Sequence, residues 1–361
     1  MKARFLQKLQ ERKDKGSLRS LSLFEGMVDF CSNDYLGMAK TEVESSVYAG
    51  STGSRLISGH SKQAEEAESF LASFFESEAA LIFNSGYDAN LGLFSSVPQK
   101  GDTVLYDELI HASVRDGIRL SHAKAHSFRH NDLTDLARKF KQSTGSVFVA
   151  VESLYSMDGD LAPLSELIEW CEQNGAYLIV DEAHAGGIYG NSGNGLLEQL
   201  GLHQRCFARL YTFGKAYGTH GAVVCGSEQL KEYLYNFARS FIYSTALPPN
   251  QYLHIRQSVE RAMNPELRLG LEAVISRFRL LVKPELLISD PSSPIQVIPI
   301  PTLEQCVLIA RKMQENKLAV KAILPPTVPE NGQRLRICLH SYNTDSEINQ
   351  LAALLNELMH E

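Results

Sequence analysis

Ala176-Tyr177-Leu178-Ile179-Val180-Asp181-Glu182-Ala183-His184 is a short apolar run that stops on two acids, the pattern of a buried strand whose far end meets a polar site. Thirty-four positions beyond Asp181 stands Lys215, inside Leu210-Tyr211-Thr212-Phe213-Gly214-Lys215-Ala216-Tyr217-Gly218. A lysine flanked by small residues can approach an aldehyde and form a Schiff base. An aspartate at a buried strand end can hold a pyridine nitrogen protonated. The two halves together read as a site for pyridoxal 5'-phosphate.

Asp-Glu-Ala-His is also a signature of helicase ATPases, which need a phosphate-cradling Gly-x-x-x-x-Gly-Lys followed by Ser or Thr. The only Gly-Lys pair here is Gly214-Lys215, followed by Ala216 and preceded at the required spacing by Arg209. The ATPase reading therefore fails on its partner motif.

Outward from this core, residues 79–226 alternate short apolar strands, small-residue turns and helical patterns. The expected strands are Ala80–Phe83, Thr103–Tyr106, Ser146–Glu152, Ala176–Asp181, Arg209–Thr212 and Ala222–Cys225. Such alternation predicts an α/β architecture, a mostly parallel sheet covered by helices on both faces, with its ligand site beyond the carboxyl ends of the strands. Pro248-Pro249 breaks the alternation, and a long helical stretch with few glycines follows. Strands at Ile295–Ile300, Ala319–Leu324 and Arg334–Leu339 and a last helix over 344–359, capped around Thr344 or Asp345, predict a smaller α+β domain. The expected organisation is an N-terminal segment over 1–45, a large domain over 46–250 and a small C-terminal domain over 251–361.

Polar residues gather at the expected strand ends. Asn84-Ser85-Gly86-Tyr87-Asp88-Ala89-Asn90 opens a helix, whose first N–H groups and positive dipole end suit a phosphate, although an ordinary cap would look the same. His111 follows the next strand, where an imidazole could stack on a flat ring. Ser153-Leu154-Tyr155-Ser156-Met157-Asp158-Gly159-Asp160 forms a polar loop able to reach the same ring.

Composition narrows the partners. The 361 residues carry a formal net charge of −7, and no basic stripe offers a nucleic acid or an anionic membrane a surface. Six cysteines, at 31, 171, 206, 225, 306 and 338, form no C-x-x-C pair, the pattern of reduced thiols in a cytoplasmic protein. No apolar run approaches a membrane span. His122, His126 and His130, four apart, would share a helix face and could suggest a metal, but a short strand over 123–128 is expected instead, and no metal.

Taken together, Cys31-Ser32-Asn33-Asp34-Tyr35-Leu36-Gly37, Gly50-Ser51-Thr52-Gly53-Ser54-Arg55-Leu56-Ile57-Ser58-Gly59, Glu152 to Asp160, Asp181 to His184 and Thr212 to Lys215 resemble the α-oxoamine synthases. These are fold-type-I pyridoxal phosphate enzymes that condense an amino acid with an acyl thioester and release carbon dioxide. Gly53 to Gly59 and Pro325-Pro326-Thr327-Val328-Pro329 look like the biotin-pathway branch, which uses L-alanine and a pimeloyl thioester. Relatives there commonly carry an arginine directly before that proline-rich stretch, whereas this chain has Leu324.

Residue by residue, the resemblance implies that Lys215 binds the cofactor covalently and moves the Cα proton, and that Asp181 pairs with the ring nitrogen. His184 would bond the phenolic oxygen, with Ser156 close by, and His111 would stack on the ring. Ser85, Gly86, Tyr87 and Thr212 would hold the phosphate, joined by Ser244 and Thr245 of a partner subunit, which implies a homodimer. Arg19, Asn33 and Thr327 would lie near the acyl substrate. Arg336 is expected to grip the amino-acid carboxylate, with Arg334 the alternative, on the reasoning that strand alternation lets only one of them face the pocket. Coenzyme A and acyl carrier protein both remain open as acyl carriers. The competing readings are a glycine- or serine-using member of the same family, an aminotransferase or lyase, and a non-catalytic binding module.

Overall fold

Val147-Phe148-Val149-Ala150-Val151-Glu152 is buried along its whole length, as is Ala79–Phe83. Alternate side chains of a strand serve opposite sides of a sheet, so continuous burial means cover on both faces. The computed structural model describes residues 7, 10–16, 24–40 and 48–359; Arg19 lies outside the described residues. The chain divides into two compact units, Asp34–Ser156 with Leu161–Arg268, and Met1–Asn33 with Met157–Asp160 and Leu269–Glu361.

In chain order the strands are β1 (Val28–Asp29), β2 (Ala79–Phe83), β3 (Thr103–Asp107), β4 (Lys124–Phe128), β5 (Val147–Glu152), β6 (Tyr177–Asp181), β7 (Ala208–Thr212), β8 (Ala222–Gly226), β9 (Ile295–Pro299), β10 (Leu318–Ala319), β11 (Lys321–Ile323) and β12 (Arg334–Cys338). The larger unit holds one seven-stranded sheet in the order β2-β8-β7-β6-β5-β3-β4. Neighbours from β4 to β7 run parallel, and β8 runs against both β2 and β7. The expected α/β architecture and all six expected strands of the large sheet are present.

Helices fill both faces. On one, Phe83, Val104, Phe148 and Ile179 meet Leu93 and Phe94 of the helix Gly86–Ser96 and Ile118 of the helix Ala112–Ser121. On the other, Phe75, just beyond the helix Lys62–Phe74, stacks on Tyr211 with ring centroids 3.8 Å apart. Each such buried Leu or Phe contributes about 1.5–3 kcal/mol relative to exposure, so apolar burial fixes where the strand ends fall.

From β3 the chain steps out to the edge strand β4 and returns to β5 on the other side of β3. That reversal makes a crevice at the carboxyl ends of β3 and β5, where open α/β sheets take their ligands. The stretch around His126 is indeed a strand, which gives the three spaced histidines separate surroundings. His122 ends a helix in the left-handed conformation, His126 lies in β4, and His130 Nδ1 bonds Asp107 at 3.0 Å.

The smaller unit carries an antiparallel sheet in the order β11-β12-β9 and a parallel pair of β1 with β10. Its last helix, Asp345–Leu358, begins with a reciprocal cap: Thr344 Oγ1 accepts from the Glu347 N–H and Glu347 Oε2 from the Thr344 N–H.

Candidate active site

β6 delivers Asp181 to the crevice still buried, at 7% exposure. A carboxylate left unpaired there would be costly, and two donors meet it. Asn90 Nδ2 donates to Oδ2 at 2.8 Å and the Ala183 N–H to Oδ1 at 3.0 Å. Glu182 turns the other way. Its two oxygens accept the N–H groups of Leu196 and Leu197 at 2.8 and 2.9 Å, tying down the segment that follows. Thus the four-residue motif splits: Asp181 and His184 line the pocket, while Glu182 is structural.

Asn90 has a second task. It donates to Ser113 Oγ at 3.1 Å, and Ser113 Oγ lies 2.7 Å from His111 Nδ1. The Ser113 N–H also donates to Nδ1, at 3.2 Å. Since Nδ1 accepts a backbone N–H, the neutral imidazole carries its proton on Nε2. Burial lowers the His111 pKa most, Lys215 adds to that, and Asp181 and Asp116 oppose it. A neutral ring suits stacking over a cationic pyridine better than an imidazolium would.

Lys215 sits in the tight turn after β7, closed by the Gly218 N–H to the Lys215 carbonyl at 2.8 Å. Gly218 has φ +61, and a Cβ there would collide with Met38 and Ala39, so this turn requires glycine. Thr212 ends β7 against the first turn of the helix Gly86–Ser96, where a Cβ on Gly86 would strike Thr212 Cγ2. Ser85 caps that helix by accepting the Asp88 N–H. The first N–H groups of a helix lack partners within it and attract anions.

His184 Nδ1 lies 2.9 Å from the Tyr35 hydroxyl. With the phenol donating, Nε2 carries the ring proton. Glu152 closes β5 in register with Asp181, and its Oε2 accepts the Ser156 N–H at 3.2 Å. Burial, then Asp181, pushes Glu152 up to about 8, against the pull of Lys215.

These groups surround a pocket of about 240 Å³ lined by Ser85, Gly86, Tyr87, His111, Asp181, His184, Thr212 and Lys215 from the sequence reading, with Asn90, Glu152, Ala183, Gly214, His220 and Gly221 in addition. The residues fit pyridoxal phosphate. A buried carboxylate is there for the ring nitrogen, a neutral imidazole for the ring face, a helix start beside Thr212 for the phosphate and a lysine for the aldehyde. Ser156 is not part of the lining; its backbone N–H donates to Glu152, which is. Ser244 and Thr245 are not part of it either; the Thr245 carbonyl accepts from Asn84 Nδ2 at 2.9 Å. Among the described residues no group of three His, Cys, Asp or Glu is placed to hold a metal, and all six cysteines are free thiols.

In the smaller unit, Arg336 Nη2 donates to Asn33 Oδ1 at 2.9 Å and Nη1 to Cys338 Sγ at 2.9 Å. Arg334 pairs instead with Asp158. The alternation argument for choosing between these arginines needs correction: residues two apart in a strand project to the same side. Their contacts distinguish them: Arg334 pairs with the Asp158 carboxylate, whereas Arg336 donates to Asn33 and Cys338. Thr327 is exposed, in the turn closed by its N–H to the Leu324 carbonyl at 3.0 Å.

Sequence reasoning gave no role to Asn90, Ser113, Tyr35 or Glu152. Glu152 had the signal that found Asp181, an acid at the end of an apolar run. Asn90 and Tyr35 act on residues distant in the chain, and Ser113 matters because Asn90 reaches it from another helix, so none of the three left a local mark.

A lysine and a buried aspartate at the carboxyl ends of a mostly parallel sheet define a fold-type-I enzyme dependent on pyridoxal phosphate, and the chain belongs to the aminotransferase class I and II family, which matches residues 25–355. Within it the chain falls among the α-oxoamine synthases, alongside 8-amino-7-oxononanoate synthase. The 8-amino-7-oxononanoate synthase of Emericella nidulans is 40% identical, covering 95% of this chain and 92% of its own. The solved structure of 8-amino-7-oxononanoate synthase from Francisella tularensis superposes with TM-score 0.80 at 30% identity, over 93% of this chain and 98% of that one. A serine palmitoyltransferase from S. paucimobilis, solved with PLP and myriocin, gives TM-score 0.90 at 25% identity, over 99% and 96%.

Proposed function

We propose that the protein catalyses the decarboxylative condensation of L-alanine with a pimeloyl thioester, giving 8-amino-7-oxononanoate, carbon dioxide and a free thiol, in biotin biosynthesis. The observation that carries this is the pocket uniting Lys215, Asp181, His111 and His184 in a chain 40% identical to 8-amino-7-oxononanoate synthase.

Pyridoxal phosphate supplies an aldehyde that captures an amine and a protonated ring that takes up the electron pair left at Cα. Asp181, held by Asn90 and the Ala183 N–H, keeps the proton on the ring nitrogen. Lys215 would hold the cofactor and, as a free amine, would take the alanine Cα proton and later return one. His111 would lie against the ring, and His184 Nε2 would donate to the phenolic oxygen while Tyr35 holds Nδ1. Ser85, Gly86, Tyr87 and Thr212 bind the phosphate.

Arg336 grips the substrate carboxylate through two parallel hydrogen bonds, with Asn33, Arg19 and Thr327 serving the acyl substrate. Two copies of the chain form a homodimer, with Ser244 and Thr245 of one reaching the phosphate held by the other. The small-molecule substrates are L-alanine and the thioester of coenzyme A or of an acyl carrier protein. Among the described residues no helix is long and apolar enough to cross a membrane, and the enzyme works in the cytoplasm, where unpaired thiols stay reduced.

The test incubates the cofactor-loaded protein with L-alanine or glycine against a panel of acyl-CoA thioesters that includes pimeloyl-CoA, following thiol release and identifying products by mass. Alanine- and pimeloyl-dependent formation of 8-amino-7-oxononanoate is the expected result. Preference for glycine, or for another acyl chain, would overturn the substrate assignment.

A further inference from the structure

Glu152 is a buried acid in the pocket lining with no part in the chemistry above. It is 3% exposed, closes the strand next to Asp181 and stands in register with it. Two buried carboxyl groups at neighbouring strand ends do not both ionise, and the better-served one takes the charge. Asp181 has a donor on each oxygen. Glu152 has the Ser156 N–H on Oε2 and nothing on Oε1, which is enclosed without a hydrogen-bond partner.

We propose that Glu152 is a positioning residue that keeps its proton in the working enzyme, so that the Glu152–Asp181 pair presents a single negative charge to the bound cofactor and to Lys215. The consequence falls on the lysine. A second negative charge facing Lys215 would favour its ammonium form, which has no lone pair with which to take the Cα proton. Keeping Glu152 neutral leaves Asp181 charged for the ring nitrogen and Lys215 free to act as a base. The groups facing Glu152 are Asp181 from β6, Lys215 from the turn after β7 and the His111 backbone at the start of the next helix, with Ser156 from its own loop. Asp181 and burial favour the acid, while Lys215 and the backbone N–H groups oppose them.

This rests on the pocket holding pyridoxal phosphate and not on which thioester is used, so it can fail while the proposed reaction stands. The test is infrared spectroscopy of the holoenzyme labelled with carboxyl-13C glutamate, which separates glutamate bands from those of Asp181. The expected result is a protonated glutamic acid band present at pH 7, lost as the pH rises through about 8 and lost at every pH in Glu152→Gln. Glu182 keeps its own band in that variant. Alongside it, the absorption of the bound cofactor changes with pH over the same range in the wild type and not in Glu152→Gln; Glu152→Ala replaces the glutamine variant if that one does not fold. A glutamic acid spectrum with no band missing in Glu152→Gln, or cofactor absorption that titrates identically in both proteins, would overturn the proposal.

Discussion

Asn90 Nδ2 donates to Asp181 Oδ2 at 2.8 Å across 91 positions of sequence, and the same amide donates to Ser113, which in turn meets His111. One side chain thereby fixes the carboxylate assigned to the ring nitrogen and the imidazole assigned to the ring face. Asn90 is itself only 2% exposed, so nothing else, water included, substitutes for it easily.

Replacing Asn90 by alanine leaves a buried carboxylate and a buried hydroxyl short of a donor, at a cost of about 1–3 kcal/mol. Urea unfolding should show that loss for Asn90→Ala and a smaller one for Ser113→Ala. Equal stability of wild type and Asn90→Ala would mean that water fills the gap and that the network is not a stabilising one.

Lys215→Ala should retain the fold, since the residue lies in a surface turn and is only half-buried. Borohydride treatment of the loaded wild type is expected to fix the cofactor to the peptide containing Lys215. In the variant nothing is fixed and turnover drops by about a thousandfold or more, as when a nucleophile or base is removed. Turnover surviving in Lys215→Ala would remove the lysine from both roles.

Burial holds Glu152 at about 8 and Glu182 at about 7, above the value of about 4.3 for an unfolded glutamate. A carboxyl raised on folding supports the native state only while the unfolded chain also keeps the proton. That support is complete below about pH 4 and is lost as the pH rises through 7 to 8. Glu152→Gln does not titrate at this position, so the urea midpoint of the wild type should fall relative to the variant between pH 5 and 8. A gap that stays constant over this range contradicts the raised value for Glu152.

Arg336→Lys keeps the charge and loses the planar fork. If Arg336 grips the amino-acid carboxylate, KM for alanine rises about tenfold or more while cofactor absorption is undisturbed. An unchanged KM would move the carboxylate to another residue, with Arg334 less suited because Asp158 already neutralises it.

Much of the large sheet is legible in the sequence because strands buried on both faces read as continuous apolar runs, and six such runs stand out between Ala79 and Gly226. His111, Asp181 and Lys215 are legible for the same reason, since a polar residue at or just beyond the end of a buried strand falls at the crevice, whereas His184 and Thr212 are implied by the family resemblance. Glu152 carried this mark too and was passed over. Arg334 and Arg336 show where the reasoning erred, because strand periodicity places both on one side and cannot choose between them.

The sequence by itself determined the strand ends, and with them the lysine and the aspartate, because burial and periodicity are properties of a few consecutive residues. Tertiary structure alone decided that Asn90 serves Asp181, that Tyr35 holds His184, that Glu182 turns away to tie down Leu196 and Leu197, and that Glu152 and Asp181 stand side by side. Hydrogen bonds and charge pairs depend on distance in space, and no local pattern records which distant donor will complete a buried carboxylate.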